Sequence, residues 1–239
     1  MKLKLVEKRD EAEGTKSFFW EPENEVPYLP GQYYYFTLPE LKYPDPRGST
    51  RHFTLSSSPT EGKLLRLTTK IREQSGFKKT LDELPTGTLI DGEGPNGTFI
   101  LEDKNTGPHI FIADGIGITP FRSMIKNVSD KNLHTEINLI YSNSTSEEIT
   151  FRKELSDISS LHKNIQINLT ISHPEESSEQ WNGNIGRIDE NLIKKLVSDI
   201  AKPTWWICGP PPMIDAMEVV LGKMGITSDR IRSEKFTGY

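Results

Sequence analysis

The stretch Ile110-Phe111-Ile112-Ala113-Asp114-Gly115-Ile116-Gly117-Ile118-Thr119-Pro120 decides the fold of the second half of this 239-residue chain. Its first four residues are apolar and predict a short buried strand. Two glycines then permit a tight turn. Beyond the turn, apolar residues recur at the spacing of one helix face, at Phe121, Met124, Ile125 and Val128. The stretch therefore predicts a strand that turns directly into a helix.

The same turn is a candidate anion site. Thr119 can cap the predicted helix, and Pro120 suits its first position. The N–H groups at a helix N-terminus and the helix dipole favour a phosphate there. Glycine, threonine and proline are also common in ordinary strand-to-helix turns, so the segment alone leaves both interpretations open.

Strand and helix patterns alternate from this point to residue 239. Further strands are predicted at 137–141, 165–171 and 204–208, and the regular alternation along 165–171 is typical of an edge strand. Alternation of strands and helices predicts a doubly wound parallel α/β sheet over residues 105–239, with ligands at the carboxyl ends of its strands. The segment Cys208-Gly209-Pro210-Pro211-Pro212-Met213 places a rigid loop and a lone thiol at that edge, although a free cysteine is more often a core residue.

Residues 1–104 have a different pattern. Short runs of β-branched and aromatic residues are separated by turn-forming glycine and proline, as in Pro44-Asp45-Pro46-Arg47-Gly48. This spacing predicts an antiparallel β-barrel or sandwich, interrupted by one short helix at residues 77–84. The chain is therefore expected to contain two domains, 1–104 and 105–239.

Two segments of the first domain are candidate ligand sites. The strand Arg51-His52-Phe53-Thr54-Leu55-Ser56 carries a guanidinium for a phosphate, a ring for a flat heterocycle and a hydroxyl for a ring nitrogen, and we expect these groups on one side of the strand. The segment Ser75-Gly76-Phe77-Lys78-Lys79-Thr80 is a second candidate phosphate cradle at a helix start. An ordinary amphipathic strand and a capped helix with solvated lysines are the alternatives.

Composition excludes several classes of protein. The net charge of −5 argues against wrapping nucleic acid or lying on anionic lipid. The single cysteine excludes an internal disulfide and a cluster held by four cysteines in this chain. The five histidines lack metal-ligand spacing, so no metal site is expected. Without a signal-peptide region or a membrane-spanning apolar run, a soluble cytoplasmic protein is expected.

Five motifs occur in the order of the ferredoxin-NADP reductase family, which the chain resembles over nearly its whole length. They are the Arg51 strand, the Gly76 helix start, the turn Gly94-Pro95-Asn96-Gly97-Thr98-Phe99, the Gly115 turn and the Cys208 loop. The resemblance implies a flavoprotein oxidoreductase in which residues 1–104 bind FAD and residues 105–239 bind NAD(P)H. Its acceptor would be a small redox protein such as ferredoxin or flavodoxin. A free-flavin reductase, and a nucleotide-binding electron-transfer subunit of a larger complex, are the alternatives.

The resemblance also implies roles for individual residues. Arg51 would bind flavin phosphate, Phe53 would pack on the isoalloxazine or ribityl, and the catalytic set would be Thr54, Cys208 and Glu234. The other cofactor-binding residues on the flavin side would be His52, Thr69, Lys70, Gly76, Phe77, Lys78, Thr80, Phe236 and Tyr239. Those on the nucleotide side would be Gly115, Ile116, Gly117, Thr119, Pro120, Gly209, Pro210 and Met213. For Glu234, a surface salt bridge with Arg232 is the alternative.

Two positions depart from the family pattern. Phe53 lacks the hydroxyl of the usual tyrosine, so one flavin hydrogen bond should be missing. Asp114 replaces a usual glycine, and a carboxylate beside a phosphate site predicts modest dinucleotide affinity. Coenzyme choice is nearly open: the loops at 142–145 and 172–174 contain no Arg or Lys, which slightly favours NADH, although Arg152 or Arg187 could reach the site.

Overall fold

A computed structural model describes residues 1–237 of the chain. The first half forms a six-stranded antiparallel sheet in the order β4-β3-β6-β1-β2-β5. Its strands are β1 (Lys2–Ala12), β2 (Thr15–Pro22), β3 (Tyr33–Thr37), β4 (Thr50–Thr54), β5 (Leu65–Lys70) and β6 (Leu89–Asn96). A bridge between Leu55 and Leu67 connects the two ends of the sheet and closes it into a barrel. Helix α1 (Gly76–Glu83) lies between β5 and β6, close to the predicted position.

The barrel core follows from the two-residue alternation of its strands. In β1, β3 and β6, apolar side chains at alternate positions point inward. The largest fully buried side chains of this core are Phe18, Trp20, Tyr34, Phe36 and Phe77. Because Phe77 belongs to α1, the first turn of that helix is anchored in the barrel.

The second half forms a six-stranded sheet in the order β10-β9-β8-β7-β11-β12, with every neighbouring pair parallel. Its strands are β7 (His109–Asp114), β8 (Ile137–Asn143), β9 (Ile165–Ile171), β10 (Asn184–Ile185), β11 (Thr204–Gly209) and β12 (Ile231–Lys235). Its helices are α2 (Ile118–Asp130), α3 (Arg152–Leu161), α4 (Glu190–Leu196) and α5 (Pro211–Lys223). The predicted two-part fold class, an antiparallel barrel followed by a doubly wound parallel sheet, is confirmed.

The strand order reverses between β7 and β11, which lie side by side although they are far apart in sequence. Chain crossovers leave in opposite directions from such a switch point, so a crevice opens at the carboxyl ends of the two strands. The Gly115 turn follows β7, and the Cys208 loop is formed where β11 ends. The fold therefore brings the two predicted nucleotide motifs together.

The boundary between two domains at residues 104 and 105 stays a prediction. The antiparallel sheet ends at Asn96, and the parallel sheet begins at His109. In the connecting segment, Phe99 already packs in the core of the second half, with ring centroids 5.8 Å from Phe121 and 5.1 Å from Trp206. The chain thus enters the second core before residue 105.

Buried polar contacts join the two halves. The Arg122 side chain on α2 is only 3% exposed. It donates to the Ser56 carbonyl at 2.8 Å and to Glu61 Oε1 at 2.8 Å in the first half, and to Glu154 Oε2 on α3 at 3.0 Å. Lys70 on β5 forms a second link, 2.7 Å from Glu148. Within residues 1–237, no helix combines the length and apolar character needed to cross a membrane.

Candidate functional site

A cleft lies between the barrel and the carboxyl ends of β11 and β12. Nine residues predicted from the sequence line it together: Arg51, His52, Phe53, Thr54, Thr69, Lys78, Thr119, Glu234 and Phe236. Arg47, Thr68, Lys235 and Thr237, which were not predicted, also line it, as does Ser75 from the candidate phosphate cradle. Predicted residues from both halves of the chain thus share one cleft, and Tyr239 lies outside the described residues.

The side chains of β4 lie on two opposite faces of the strand. In the pairing with β3, Arg51 is opposite Phe36 and Phe53 opposite Tyr34, both buried in the barrel, while Thr54 is opposite the partly exposed Tyr33. Thr54 is therefore on the other face of the strand from Arg51 and Phe53. The expectation that ring, guanidinium and hydroxyl share one face was wrong, because adjacent strand residues point in opposite directions.

The side chains of β4 have distinct surroundings. The half-buried Phe53 ring lies 6.0 Å from Phe36 and 5.9 Å from Phe77, between centroids, so barrel residues fix its orientation. His52 is exposed and packs 5.2 Å from the Tyr33 ring. Phe53 can therefore offer a ring edge or face to a planar ligand, while His52 reaches the cleft from its outer rim.

The end of the cleft beside α1 is rich in positive charge. Arg47, Arg51 and Lys78 line it, and Arg72 is near enough to affect Lys78. Burial, together with the charges of Arg72, Arg47 and Arg51, lowers the pKa of Lys78 to about 8. Crowded cations of this kind are unfavourable to one another and favourable to a bound phosphate. The donor set therefore fits an anionic group.

The first turn of α1 already uses part of its hydrogen-bonding capacity. The Phe77 N–H donates to Asp45 Oδ2 at 3.0 Å, and the Lys78 N–H donates to Ser75 Oγ at 3.3 Å. The Thr80 hydroxyl accepts from the Lys42 N–H at 3.1 Å. The role of Gly76 to Lys78 as a cradle of backbone donors stays a prediction, because chain groups take two of those N–H groups.

Thr54 and Glu234 line the other end of the cleft, and Cys208 is buried next to Glu234. Cys208 on β11 is fully buried and pairs in register with Glu234 on β12. Burial raises the pKa of Glu234 to about 7, partly offset by a hydrogen bond with the Thr54 side chain. Burial, with a smaller contribution from Glu234, also raises the pKa of the Cys208 thiol. The thiol is thus neutral, and the carboxyl is able to hold or release a proton near neutral pH.

Glu234 has one oxygen without a partner. Its Oε2 is buried and accepts or donates no hydrogen bond within residues 1–237. The alternative of a surface salt bridge with Arg232 was wrong: the Arg232 guanidinium lies 5.0 Å from the Trp206 ring centroid, and no ion pair joins it to Glu234 in the described chain. A buried polar atom that faces the cleft unpaired fits a polar ligand edge.

The turn after β7 differs in detail from its prediction. A single 3₁₀ turn at Gly115–Gly117 leads straight into α2, which begins at Ile118 with no side-chain cap. Thr119 therefore lies inside the helix, where its hydroxyl donates to the Ile116 carbonyl at 3.2 Å, and Pro120 is not the first helical residue. Capping by Thr119 was wrong because the 3₁₀ turn leaves no extended residue before the helix.

Glycines in this turn are required by contact and by backbone conformation. Gly115 has a φ of +52°, in the left-handed region. A Cβ on Gly117 would lie 2.2 Å from the Cys208 carbonyl oxygen, so only glycine lets this turn meet the end of β11. The two nucleotide motifs are therefore in van der Waals contact.

A second pocket follows the carboxyl ends of β7, β8 and β9. Its predicted members are Pro210 and Met213, and it also includes Asp114, His173 and Arg187. Burial raises the pKa of Asp114, partly offset by a hydrogen bond with Ser142. Of the two arginines considered from the sequence, Arg187 lines this pocket. Arg152 instead pairs with Glu179 and covers the Trp181 ring at 5.2 Å.

Lys70 lies closer to the nucleotide turn than predicted. The resemblance places it along the flavin ribityl, but its Nζ pairs with Glu148 and lies 3.8 Å from the Cβ position of Gly115. Thr69, the preceding residue, lines the cleft as expected. Asp45, which accepts four hydrogen bonds beside Arg51 and α1, was not predicted, because the Pro-Asp-Pro-Arg-Gly sequence around it indicates only a turn.

Known proteins provide an independent comparison. The family model described as the oxidoreductase NAD-binding domain matches residues 111–218. The anthranilate 1,2-dioxygenase electron transfer component of Acinetobacter baylyi is 29% identical over 213 residues, covering 89% of this chain and 59% of that protein. The NADH-cytochrome b5 reductase 1 of Mortierella alpina is 30% identical over 181 residues, covering 74% of this chain and 59% of that protein. The chain thus spans less than two thirds of each relative.

Solved structures share the fold of the whole chain. The cytochrome b5 reductase domain of Ulva prolifera nitrate reductase superposes with a TM-score of 0.83 at 21% identity, covering 98% of this chain and 96% of that one. The flavohem-like FAD/NAD-binding domain of a Vibrio cholerae nitric oxide dioxygenase gives a TM-score of 0.83 at 20% identity, covering 98% of each chain. At these identities the likeness establishes the two-part fold.

Proposed function

We propose that the chain is an FAD-dependent NAD(P)H oxidoreductase, because it resembles the ferredoxin-NADP reductase family and the model of the oxidoreductase NAD-binding domain matches residues 111–218. It would pass electrons from the dinucleotide to a small redox acceptor such as ferredoxin or flavodoxin. The observation that carries the proposal is that Thr54 and Glu234, from two differently folded halves, line one cleft, with Cys208 buried in register beside Glu234. Residues 1–104 would bind the flavin and residues 105–239 the dinucleotide.

The residues of the cleft fit FAD in chemistry and in position. Arg51, Arg47 and Lys78 supply cations for its phosphates, and Phe53 supplies a ring at the edge of the barrel. Glu234 and Thr54 offer hydrogen-bonding groups to a polar ring edge. Bound FAD would supply the chemistry of accepting a hydride and releasing electrons singly.

The protein's own contribution is orientation and control of protons. Gly115 and Gly117 would allow the dinucleotide pyrophosphate to approach the point where the strand order reverses. Pro210 and Met213 line the second pocket, in which the rest of the dinucleotide would lie. The neutral Cys208 thiol packs beside the place where the two rings would meet, without adding charge. Glu234 can exchange a proton near neutral pH. Holding two reactive rings in contact accounts for much of the rate gain in such reactions.

Anaerobic mixing tests the proposal directly. The purified chain should carry yellow flavin absorbance, which NADH or NADPH should bleach within seconds to minutes. A Cys208→Ala variant should keep its flavin and bleach more slowly. A wild-type protein that binds no flavin, or whose flavin neither coenzyme reduces, would refute the function. Comparing kcat/KM for the two coenzymes, in wild type and in Arg187→Ala, then settles coenzyme choice.

A second candidate is an electron-transfer component within a larger oxygenase system. The Acinetobacter relative named above is an electron transfer component, and this favours the second candidate. A glycine betaine monooxygenase reductase subunit of Chromohalobacter salexigens, 28% identical over 210 residues, favours it as well. Co-purification of an oxygenase partner and failure to reduce soluble acceptors alone would support this candidate. Loss of flavin on dialysis would instead favour a free-flavin reductase. A cytoplasmic location is part of the proposal, since a lone buried thiol suits a reducing compartment.

A further inference from the structure

A buried ion pair lies at the phosphate end of the cleft. The side chains of Asp45, in the loop between β3 and β4, and Arg51 are 4% and 9% exposed. Asp45 Oδ1 accepts from Arg51 Nη2 and from the Arg47 N–H, the latter at 3.0 Å. Its Oδ2 accepts from the Phe77 N–H at 3.0 Å and from the Ser75 hydroxyl at 3.1 Å. One carboxylate thus links β4 to the first turn of α1.

The Arg51 guanidinium is fixed on its other side as well. Its Nη1 donates to the carbonyls of Arg47 at 2.7 Å, Gly48 at 3.0 Å and Thr50 at 2.7 Å. A guanidinium is a planar fork, so it cannot rotate without breaking these bonds. Asp45 and the loop together therefore set the direction in which the remaining donors of Arg51 point.

The loop that carries Asp45 packs along α1 and is fixed there by several contacts. A Cβ on Gly76 would lie 2.3 Å from the Pro44 carbonyl oxygen, so the backbones of loop and helix touch. At the other end of α1, the Tyr43 hydroxyl donates to Glu83 at 2.6 Å. Asp45 would therefore keep its hydrogen bonds when a phosphate enters the cleft, and the phosphate would not displace its carboxylate.

We propose that Asp45 is a positioning residue for the flavin phosphates. It holds the Arg51 guanidinium beside the first turn of α1, so that the remaining donors of Arg51 face a phosphate in the cleft. Asp45 acts through Arg51 and does not touch the flavin. Arg47, Arg72 and Lys78 keep the surroundings positive in spite of the added carboxylate. The inference rests on the proposed function, because it assumes that flavin binds in this cleft.

Comparing two flavins separates positioning from general stability. FAD carries phosphates, whereas riboflavin carries only the ring and the ribityl chain. Asp45→Asn in the full chain should weaken FAD binding about tenfold, the size of one lost charge-assisted hydrogen bond. It should change riboflavin binding by less than about twofold. Both dissociation constants can be measured by quenching of flavin fluorescence.

Glu83→Gln is the matched control. It removes the same charge and loosens the same loop at its other end, where Lys42 and Tyr43 bind Glu83, but leaves the pair of Asp45 and Arg51 intact. Both flavins should bind this variant as they bind wild type. In an Arg51→Lys background, Asp45→Asn should have little further effect, because Asp45 acts through Arg51.

Several outcomes would overturn the proposal. Equal weakening of FAD and riboflavin by Asp45→Asn would show a general structural role, and unchanged or tighter FAD binding would show that the carboxylate opposes phosphate. If Asp45→Asn does not fold, Asp45→Glu keeps the charge but displaces it, and the same FAD-specific loss is expected. A wild-type chain that binds neither flavin would instead refute the proposed function, and the inference with it.

Discussion

Glu234 shows how a single residue acquires unusual chemistry from its neighbours. It lies beside Cys208 in the parallel pairing of β12 with β11, and the barrel covers it from the other side through Thr54. Few groups remain to solvate a negative charge, so the protonated form is favoured. Glu234 is thus a carboxylic acid at a pH at which most glutamates are carboxylates.

The raised pKa of Glu234 predicts a pH-dependent stability difference. Between its ordinary pKa of 4.5 and about 7, the group is ionised in the unfolded chain but protonated in the folded one. Its stabilising contribution is full below pH 4.5 and is lost as the pH rises through 7. Between these pH values, wild type should lose about 3 kcal/mol more unfolding free energy than Glu234→Gln. Urea titrations at pH 4.5 and at pH 7 measure these unfolding free energies. Glu25→Gln, at an exposed position, is the control and should lose as much unfolding free energy between the two pH values as wild type.

The lowered pKa of Lys78 predicts that FAD affinity depends on pH. Burial and neighbouring cations lower its pKa to about 8, and a bound phosphate would raise it again. FAD should bind most tightly below pH 8 and lose roughly tenfold in affinity by about pH 9.5. Fluorescence titrations should show a much flatter profile for Lys78→Gln. An unchanged profile in that variant would place the phosphates elsewhere.

At the scale of elements, the contact between the β7 turn and the end of β11 organises the nucleotide side. A methyl group on Gly117 would overlap the Cys208 carbonyl, which is backbone and cannot move aside alone. Gly117→Ala should therefore cost about 2 kcal/mol of unfolding free energy and weaken NAD(P)H binding at least about tenfold. Gly222→Ala on α5, where a Cβ meets nothing within 4 Å, is the control and should bind the dinucleotide normally. Thermal unfolding and dinucleotide titration test both variants.

Elements were predicted well where periodicity specifies them, and poorly where local contacts do. The strand and helix on either side of the Gly115 turn appear as expected, but the start of α2 does not, because a 3₁₀ turn replaces the expected cap. The 165–171 strand was expected at an edge, and the two-residue β10 lies beyond it. So short a strand has no periodicity to detect.

At the scale of the whole molecule, Arg122 determines how the two halves meet. It is a buried cation whose carboxylate partners come from both halves, Glu61 from the first and Glu154 from the second. Phe151 lies against it and also against Arg66, with guanidinium carbons 5.6 Å and 4.6 Å from the ring centroid. We expect this junction to fix the angle at which the two halves of the cleft face each other.

Arg122→Met should change how the two halves are oriented but should leave FAD binding intact. Removing one partner of a buried ion-pair network should cost about 3 kcal/mol of unfolding free energy. FAD binding should persist, because Arg51 and α1 belong to the first half, while reduction of the flavin by NAD(P)H should slow at least about tenfold as the two rings lose alignment. Stopped-flow absorbance and urea titration measure the two effects.

The matched control for this junction is Arg152→Met. Arg152 is a neighbouring arginine in an exposed pair with Glu179, within the second half alone. An exposed pair contributes less than about 1 kcal/mol, so stability and flavin reduction should both stay near wild type. Equal slowing in both variants would mean that Arg122 does not set the orientation.

The sequence predicted the architecture and most of the cleft, because motifs and periodicity encode them locally. Nine predicted residues do line one cleft. It could not predict Asp45, whose importance depends on a turn meeting a helix 30 residues later. Nor could it place Lys70 against Glu148, since that pairing needs the relative position of two sheets. Contacts across long sequence separations have no signature in a single chain.

The place of β12 in the sheet has a consequence for the lifetime of the site. It is the outermost strand on its side and pairs only with β11 among the described strands, yet it carries Glu234. Outer strands exchange their amide hydrogens through local fraying, at a fraction of the free energy of global unfolding. Each such opening would let water reach the carboxyl and ionise it. The time for which Glu234 keeps its raised pKa is therefore set by the fraying of one short strand, and not by the stability of the protein as a whole.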